Sequence, residues 1–215
     1  MPHRSNPGEL ILFVKYPEAG KVKTRLAGTT GYRCAAQIYS HMSRTVFWRM
    51  KHAGLKTSVA FHPPSAEKSV AGLFPDAESY VRQSSGDLGQ KMKNALRRRR
   101  HHSGKLILIG TDCIDIQPDD CRQAFRELEH KDVVIGPAHD GGYYLLGIKT
   151  DLTANKQIMS ILFDDIQWST ADVLLQTIRR LKRFRISHRL LKKKSDLDTA
   201  DDINPAVIRS LYGPV

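Results

Sequence analysis

Uninterrupted apolar runs alternate along the chain with segments in which apolar residues recur every three or four positions. The runs predict buried strands and the periodic segments predict helices. The predicted strands cover residues 9–14, 56–61, 79–83, 105–109, 131–136, the second half of 137–148, and 185–190. The predicted helices cover 32–53, 65–73, 118–130 and 171–182, with a further helix that opens at 86–90.

The alternation of strands and helices predicts an α/β fold with three α/β/α layers and a mostly parallel central sheet. The sequence contains no repeat and no linker, so we expect residues 1–215 to form a single domain. An Asp-Gly-Gly turn before the strand at Tyr143 indicates a local antiparallel segment.

The segment Gly110-Thr111-Asp112-Cys113 follows the apolar strand 105–109 directly. Ligands of open α/β sheets bind at the carboxyl ends of the strands, and a carboxylate there can hold a divalent cation against a diphosphate. Asp112 is therefore a candidate metal ligand and catalytic residue. The alternative is that Asp112 only caps the turn into the next helix.

A basic loop follows the first strand and contains candidate phosphate-binding residues: Lys15, Gly20, Lys23 and Arg25. Backbone amides of a glycine-containing loop can wrap phosphates while cationic side chains neutralise them. The Gly-Lys-Ser/Thr ending of a Walker loop is absent, because Val22 follows Gly20-Lys21. The alternative is a solvated surface loop.

Two further segments carry candidate site residues. His139 and Asp140 are predicted to orient or deprotonate an acceptor, and Gly141 and Gly142 to bind the acceptor or sugar, unless the segment is only a tight hairpin turn. Near the C-terminus, alternation along an extended segment places Asp196 and Asp198 on the same side, where both could bind one cation. A capping box of Thr199 and Asp202 is predicted to begin the last helix.

The formal net charge of +12 raises the possibility of a nucleic-acid partner. The densest basic run, 97–100, falls at a predicted helix end and has no interleaved aromatic residues, so a solvated helix end is favoured and nucleic acid is not expected. No apolar run is long enough for a membrane span. The N-terminus predicts no signal peptide, and three cysteines without metal-like spacing suggest reduced thiols, so a cytoplasmic location is expected.

Four segments together resemble the DUF2064 family, which is also described as an arsenosugar-biosynthesis-type or radical-SAM/selenodomain-associated transferase. They are Lys15-x-Pro17 through 20–26, Gly110-Thr111-Asp112-Cys113, 140–145, and Asp198-Thr199 with Asp202-Ile203. More broadly, the chain is similar to nucleotide-diphospho-sugar transferases of the GT-A fold. It departs from the family pattern at Ile114, where the family usually has Pro and where many glycosyltransferases have the second Asp of Asp-x-Asp.

The resemblance implies a nucleotide held over the first loop, with Lys15, Lys23 and Arg25 on its phosphates. It also implies that Asp112 and Asp198 bind Mg²⁺ or Mn²⁺. The expected partners are a nucleotide-sugar or a nucleoside triphosphate and a small-molecule acceptor. Sugar transfer from a nucleotide-sugar is the favoured hypothesis; the alternatives are nucleotidyl transfer with release of pyrophosphate and, ranked lower, a non-catalytic protein that binds nucleic acid or anions.

Overall fold

The computed structural model describes residues 8–203, which form a seven-stranded sheet flanked by helices. In chain order the strands are β1 Glu9–Lys15, β2 Thr57–His62, β3 Tyr80–Arg82, β4 Lys105–Ile109, β5 Val133–Pro137, β6 Tyr143–Lys149 and β7 His188–Leu190. Their order across the sheet is β3-β2-β1-β4-β6-β5-β7.

The sheet is parallel except at β6, which runs antiparallel to both of its neighbours, β4 and β5. The amino end of β6 therefore lies at the same edge of the sheet as the carboxyl ends of the other strands. This arrangement confirms both the mostly parallel sheet and the antiparallel segment at Tyr143.

Helices cover both faces of the sheet. They are α1 Thr24–Thr30, α2 Tyr32–His52, α3 Glu67–Leu73, α4 Leu88–Arg99, α5 Pro118–Glu127, α6 Lys156–Phe163 and α7 Val173–Arg183. Apolar side chains of α1, α2, α3 and α5 pack in one core cluster with one face of the sheet, and those of α4, α6 and α7 pack in a second cluster with the other face. The three-layer α/β/α prediction is confirmed. None of the helices in residues 8–203 combines the length and the apolar character that a membrane span requires.

Two helices were not predicted from the sequence, and one begins later than expected. The short helix α1 overlaps the last three residues of the predicted basic loop, 24–26, and continues to Thr30, and α6 forms where the sequence pattern predicts no element. The helix predicted from Ala171 begins at Val173. The capping box of Thr199 and Asp202 is present over a 3₁₀ turn, Ala200–Asp202, but the helix predicted after it lies outside the described residues.

The arginine run at the end of α4 is not simply a solvated helix end. Arg99 donates from Nε to the Oε1 atom of Glu9 at 2.7 Å and from Nη2 to Oε2 at 3.0 Å. Both side chains are largely buried, with 4% of Glu9 and 14% of Arg99 exposed. Ser58 donates a further hydrogen bond to Glu9. The pair therefore attaches α4 to the amino ends of β1 and β2, on the opposite edge from the carboxyl ends of the strands.

Replacing Glu9 with Gln should lower the free energy of unfolding by roughly 3 kcal/mol, because the change leaves the Arg99 guanidinium partly buried without its counter-charge. Urea unfolding monitored by circular dichroism measures the loss. The control is Glu78→Gln, which removes a carboxylate that is 41% exposed from its pair with Lys51 and should cost less than about 1 kcal/mol. Equal losses in the two variants would show that the buried Glu9–Arg99 pair contributes no more to stability than the exposed Glu78–Lys51 pair.

Candidate functional site

A cleft of ≈ 840 Å³ opens at the edge of the sheet where the parallel strands end. Its walls come from the end of β1 and the loop after it, from the segment that follows β4, and from the start of β6. Residues of the segments 83–92 and 168–171 also line it, as do Asp196 and Asp198. Most of the predicted site residues line this cleft: Lys15, Lys23, Arg25, Asp112, Asp140, Gly142, Asp196 and Asp198.

The ammonium group of Lys23 lies between two of the predicted metal ligands. Its Nζ atom is 2.5 Å from Oδ1 of Asp112 and 2.9 Å from Oδ1 of Asp198. It also donates to the carbonyl oxygen of Leu197 at 2.5 Å. Only 4% of the Lys23 side chain is exposed, against 49% for Asp112 and 37% for Asp198. The structure thus shows Lys23 on the two carboxylates, whereas the sequence predicted a contact with phosphate.

The pKa of Lys23 is raised above its usual value despite its burial. Burial by itself disfavours the charged ammonium, but the charges and hydrogen bonds of Asp112 and Asp198 outweigh that effect. Lys23 is therefore a positive charge held between the two carboxylates.

Different backbone hydrogen bonds hold the segments that carry the two carboxylates. Asp112 follows β4 through Gly110, and its carbonyl oxygen accepts a hydrogen bond from the Leu197 amide at 2.9 Å. Asp198 is fixed through Asp202, whose Oδ2 atom accepts hydrogen bonds from the backbone amides of Asp198 and Thr199. The capping box therefore positions a site residue as well as beginning a turn.

Tyr39 on α2 joins the ends of two strands beneath the cleft. Its buried hydroxyl accepts a hydrogen bond from the backbone amide of Lys15 at 3.0 Å and another from the Thr111 hydroxyl at 3.1 Å. Burial and the nearby charge of Asp112 raise the pKa of Tyr39 to about 12, so the phenol stays neutral. Tyr39 holds the first loop next to the segment that carries Asp112.

Asp196 lines the cleft near three other carboxylates, those of Asp112, Asp140 and Asp198. Its Oδ1 atom is buried and has no hydrogen-bond partner in the described structure. Burial, together with the charges of Asp112, Asp140 and Asp198, raises the pKa of Asp196 to about 7 against the opposing charge of Lys23. A raised carboxyl pKa caused partly by neighbouring carboxylates indicates an excess of negative charge at this point.

The first loop presents further cationic side chains to the cleft. Lys15, Lys21 and Arg25 are exposed and line it. Arg25 is 77% exposed and lies 3.8 Å from Oδ2 of Asp198. Gly20 has φ +81°, no atom lies within 4 Å of the place where a Cβ would be, and it does not line the cleft. The structure therefore shows Gly20 shaping the turn of the loop, and its contact with phosphate stays a prediction.

The Asp140-Gly141-Gly142 turn faces the cleft only in part. Asp140 and Gly142 line it, and Oδ1 of Asp140 accepts the Gly142 amide at 2.8 Å. Gly141 has φ +91°, and a Cβ there would lie 1.9 Å from the carbonyl oxygen of Ala171. Gly141 is thus required by close packing of two backbones. His139 is exposed and does not line the cleft, so the structure separates it from the residues with which it was grouped.

Two residues that organise the cleft were not identified from the sequence. The spacing of Tyr39 is that of the apolar face of α2, which predicts a core residue. Gln83 is buried and donates from Nε2 to the carbonyl oxygens of Val14 and Ala60, which lie on β1 and β2. Trp168 also lines the cleft, with its ring centroid 6.4 Å from that of Phe163.

Replacing Gly141 with Ala should destabilise the protein by about 3 kcal/mol or more, because it combines positive-φ strain with a backbone clash. The matched control is Gly20→Ala, which has a similar φ but open space around it and should cost only about 1 kcal/mol. Urea unfolding of the two variants gives the comparison. Equal costs would mean that the turn moves easily away from Ala171.

The free energy of unfolding of the Asp196→Asn variant should increase relative to that of wild type as the pH rises. In the folded protein this carboxyl has a pKa of about 7, whereas its ordinary value is 3.8. Between these values the folded state retains a proton that the unfolded state has lost, so the contribution of Asp196 to stability is present at low pH and is lost as the pH rises. The free energy of unfolding of Asp196→Asn should therefore rise relative to that of wild type by up to about 1.4 kcal/mol per pH unit from about pH 4 to pH 7.

Urea unfolding at several pH values within that window measures the difference between the two proteins. Asp201→Asn, an exposed acidic residue in the same segment, is the matched control for the loss of one negative charge. A difference between Asp196→Asn and wild type that stays constant across the window would contradict the raised pKa.

Comparison with known proteins gives a family and a fold. The model of the family described as an uncharacterized protein conserved in bacteria (DUF2064) matches residues 45–170. Comparison with curated proteins gives no match. Among solved structures, the chain is similar to a provisionally assigned nucleotide-diphospho-sugar transferase from Desulfovibrio desulfuricans G20. The two chains are 31% identical with a TM-score of 0.81, over 95% of this chain and 90% of that one.

Two more distant structures share the fold. One is CMP:2-keto-3-deoxy-manno-octonic acid synthetase complexed with CTP, with 14% identity, coverage of 93% of this chain and 96% of that one, and a TM-score of 0.59. The other is the inositol-1-phosphate CTP transferase from T. maritima, with 13% identity, coverage of 95% of both chains and a TM-score of 0.59. The chain belongs to the DUF2064 family and has the fold of the nucleotide-diphospho-sugar transferases.

Proposed function

We propose that the protein is a transferase that uses a divalent cation to bind a nucleotide-sugar and passes the sugar to a small acceptor. The observation that carries this proposal is the convergence of Asp112 and Asp198 on one cation, the Lys23 ammonium, beside a basic loop. A relative with 31% identity that is provisionally assigned as a nucleotide-diphospho-sugar transferase supports it. The arsenosugar and radical-SAM associations of the family stay predictions.

The residues present fit Mg²⁺ or Mn²⁺. Asp112 and Asp198 already direct one carboxylate oxygen each toward the same positive charge, and the buried, unpartnered Oδ1 of Asp196 lies in the same acidic cluster. Within residues 8–203 no three acidic, His or Cys side chains are placed to hold a metal by themselves. Mg²⁺ is commonly held by one or two carboxylates together with substrate phosphates and water. When bound, the ion would neutralise charge on the leaving diphosphate.

Cationic side chains in and beside the first loop supply the remaining charge. Lys15 lines the cleft from the end of β1, Lys21 from the loop after it, and Arg25 from the first turn of α1. Nearby positive groups stabilise the negative charge that develops on the departing phosphate oxygen. Tyr39 keeps this loop beside Asp112 through its hydrogen bond to the Lys15 amide.

In the transfer itself, the acceptor hydroxyl oxygen bonds to the anomeric carbon while the bond from that carbon to the phosphate oxygen breaks. The nucleoside diphosphate leaves with the electron pair of that bond, and the hydroxyl proton passes to a base. Asp140 is the better-placed base, because it lines the cleft whereas His139 does not. Asp140 lies in the turn that precedes β6.

Nucleotidyl transfer from a nucleoside triphosphate is the second candidate. The two distant fold neighbours are a CTP-complexed synthetase and a CTP transferase. The basic first loop also suits the larger negative charge of a triphosphate. In that case the acceptor oxygen attacks the α-phosphorus and pyrophosphate leaves. The proposed metal pair and phosphate loop would be the same, and only the bond that breaks differs.

Wild-type protein should show a higher thermal unfolding temperature with its nucleotide plus Mn²⁺ than with either alone, and Asp112→Asn should abolish the extra shift. A thermal-shift panel of nucleoside mono-, di- and triphosphates and nucleotide-sugars, with and without Mn²⁺, makes the measurement. Asp115→Asn is the matched control, because Asp115 is exposed and does not line the cleft, and it should keep the shift.

Product analysis with the nucleotide selected by the panel separates the two candidates. Release of nucleoside diphosphate from a nucleotide-sugar supports sugar transfer. Release of pyrophosphate from a triphosphate, with no consumption of nucleotide-sugar, contradicts sugar transfer and supports nucleotidyl transfer. Stabilisation by no nucleotide would contradict both, and salt-sensitive nucleic-acid binding that Asp112→Asn leaves unchanged would favour the non-catalytic hypothesis.

A further inference from the structure

The ammonium of Lys23 is fully engaged where the structure places it. An ammonium has three N–H donors, and Lys23 has three acceptors within 2.9 Å: a carboxylate oxygen of Asp112, one of Asp198, and the carbonyl oxygen of Leu197. The side chain is almost entirely buried. In this arrangement Lys23 holds the two carboxylates together and has no donor left for a phosphate.

The position that Lys23 occupies is also the position that a divalent cation would need. The carboxylate oxygens that contact Nζ are the Oδ1 atoms of Asp112 and Asp198, which the proposed function assigns to the metal. An ammonium and a divalent cation cannot both lie between the same two oxygens, because like charges at such short range repel strongly. Metal binding by this pair therefore requires the Lys23 ammonium to leave.

Lys23 can leave without a change in the fold around it. It lies outside α1, as the N-cap residue, and its long aliphatic chain can rotate while the backbone stays in place. Its neighbours Lys21 and Arg25 already line the cleft, so phosphates bound there would lie close to the loop that carries Lys23. A nucleotide brings phosphate oxygens that can replace the three acceptors that the ammonium gives up.

We propose that Lys23 is an exchangeable counter-ion: its ammonium occupies the Asp112–Asp198 pair when no nucleotide is bound, and a divalent cation arriving with a nucleotide displaces it onto the phosphates. The inference rests on the proposed function, because it takes the same carboxylates as metal ligands. It adds that binding of metal and nucleotide is coupled through Lys23. The metal alone must compete with the ammonium, whereas the metal with a nucleotide offers the ammonium a new partner.

Removing the Lys23 ammonium should therefore tighten metal binding in the absence of nucleotide. We expect Lys23→Met to bind Mn²⁺ about tenfold more tightly than wild type, because no ammonium then occupies the carboxylate pair. A purely structural lysine gives the opposite result, since its loss loosens the pair and weakens binding. Titration of Mn²⁺ followed by electron paramagnetic resonance measures the affinity directly and does not depend on activity.

The control variants separate this competition from a general effect of charge. Lys21→Met removes the same charge from an exposed, cleft-lining position of the same loop and should change Mn²⁺ affinity by less than about twofold, because exposed charges are screened. Lys23→Gln keeps a hydrogen-bond donor for Asp198 and Leu197 without the charge, and it should also bind Mn²⁺ more tightly than wild type. This second variant keeps the test valid if Lys23→Met folds poorly.

The outcomes distinguish this inference from the function on which it rests. If Asp112→Asn abolishes Mn²⁺ binding but folded Lys23→Met and Lys23→Gln bind Mn²⁺ no more tightly than wild type, the metal site stands and the exchange is wrong. If Mn²⁺ binds to none of the proteins, or binds equally to Asp112→Asn, the metal site and the exchange are both wrong. Tighter binding in the two Lys23 variants, with little change in Lys21→Met, supports the exchange.

Discussion

Burial of β4 on both faces is the constraint on which the candidate site depends. The strand lies between β1 and β6, so both of its edges are hydrogen-bonded, and its apolar side chains divide between the two core clusters. A strand held in this way cannot shift in register without exposing apolar side chains. Asp112 lies three residues beyond the end of β4, so the fixed position of the strand also limits the movement of Asp112. The hydrogen bonds of Tyr39 and of the Leu197 amide then position the first loop and the segment around Asp198 relative to Asp112.

The charges of the cleft balance, although the whole chain is strongly basic. Among the lining residues in the described part of the chain there are five carboxylates and five cationic side chains: Asp87, Asp112, Asp140, Asp196 and Asp198 against Lys15, Lys21, Lys23, Arg25 and Lys91. The net charge of +12 therefore lies elsewhere on the molecule and does not report on the ligand. A divalent cation changes this balance in favour of an anionic substrate, which is a physical reason to expect the ion and the phosphates to bind together.

The sequence was sufficient for the fold and for much of the cleft, because both follow from local patterns. Apolar runs identify buried strands, and the residues just after them must lie at one edge of a parallel sheet, which brings Lys15 and Asp112 together. Local patterns do not predict contacts between residues that are distant in sequence. Lys23 and Asp198 are 175 positions apart, and no local pattern shows that a cation of the first loop binds a carboxylate near the C-terminus. The role of the Tyr39 hydroxyl could not be predicted for another reason. A tyrosine at an apolar helical position has the periodicity of a core residue, and this periodicity does not reveal its hydrogen bonds.

The antiparallel strand β6 divides the site into two parts with different origins. Parallel strands can contribute only the segments that follow them to this edge of the sheet, and β1 and β4 do so with the basic loop and Asp112. Strand β6 contributes the segment that precedes it, the turn from Asp140 to Gly142, which connects it to β5. Within that turn Gly141 is held against Ala171 by close packing, so changes are confined to its other residues while β1 and β4 keep the charged loop and Asp112 in place. Under the proposed function, such changes would alter the cleft next to the turn and leave the side that holds the phosphates unchanged.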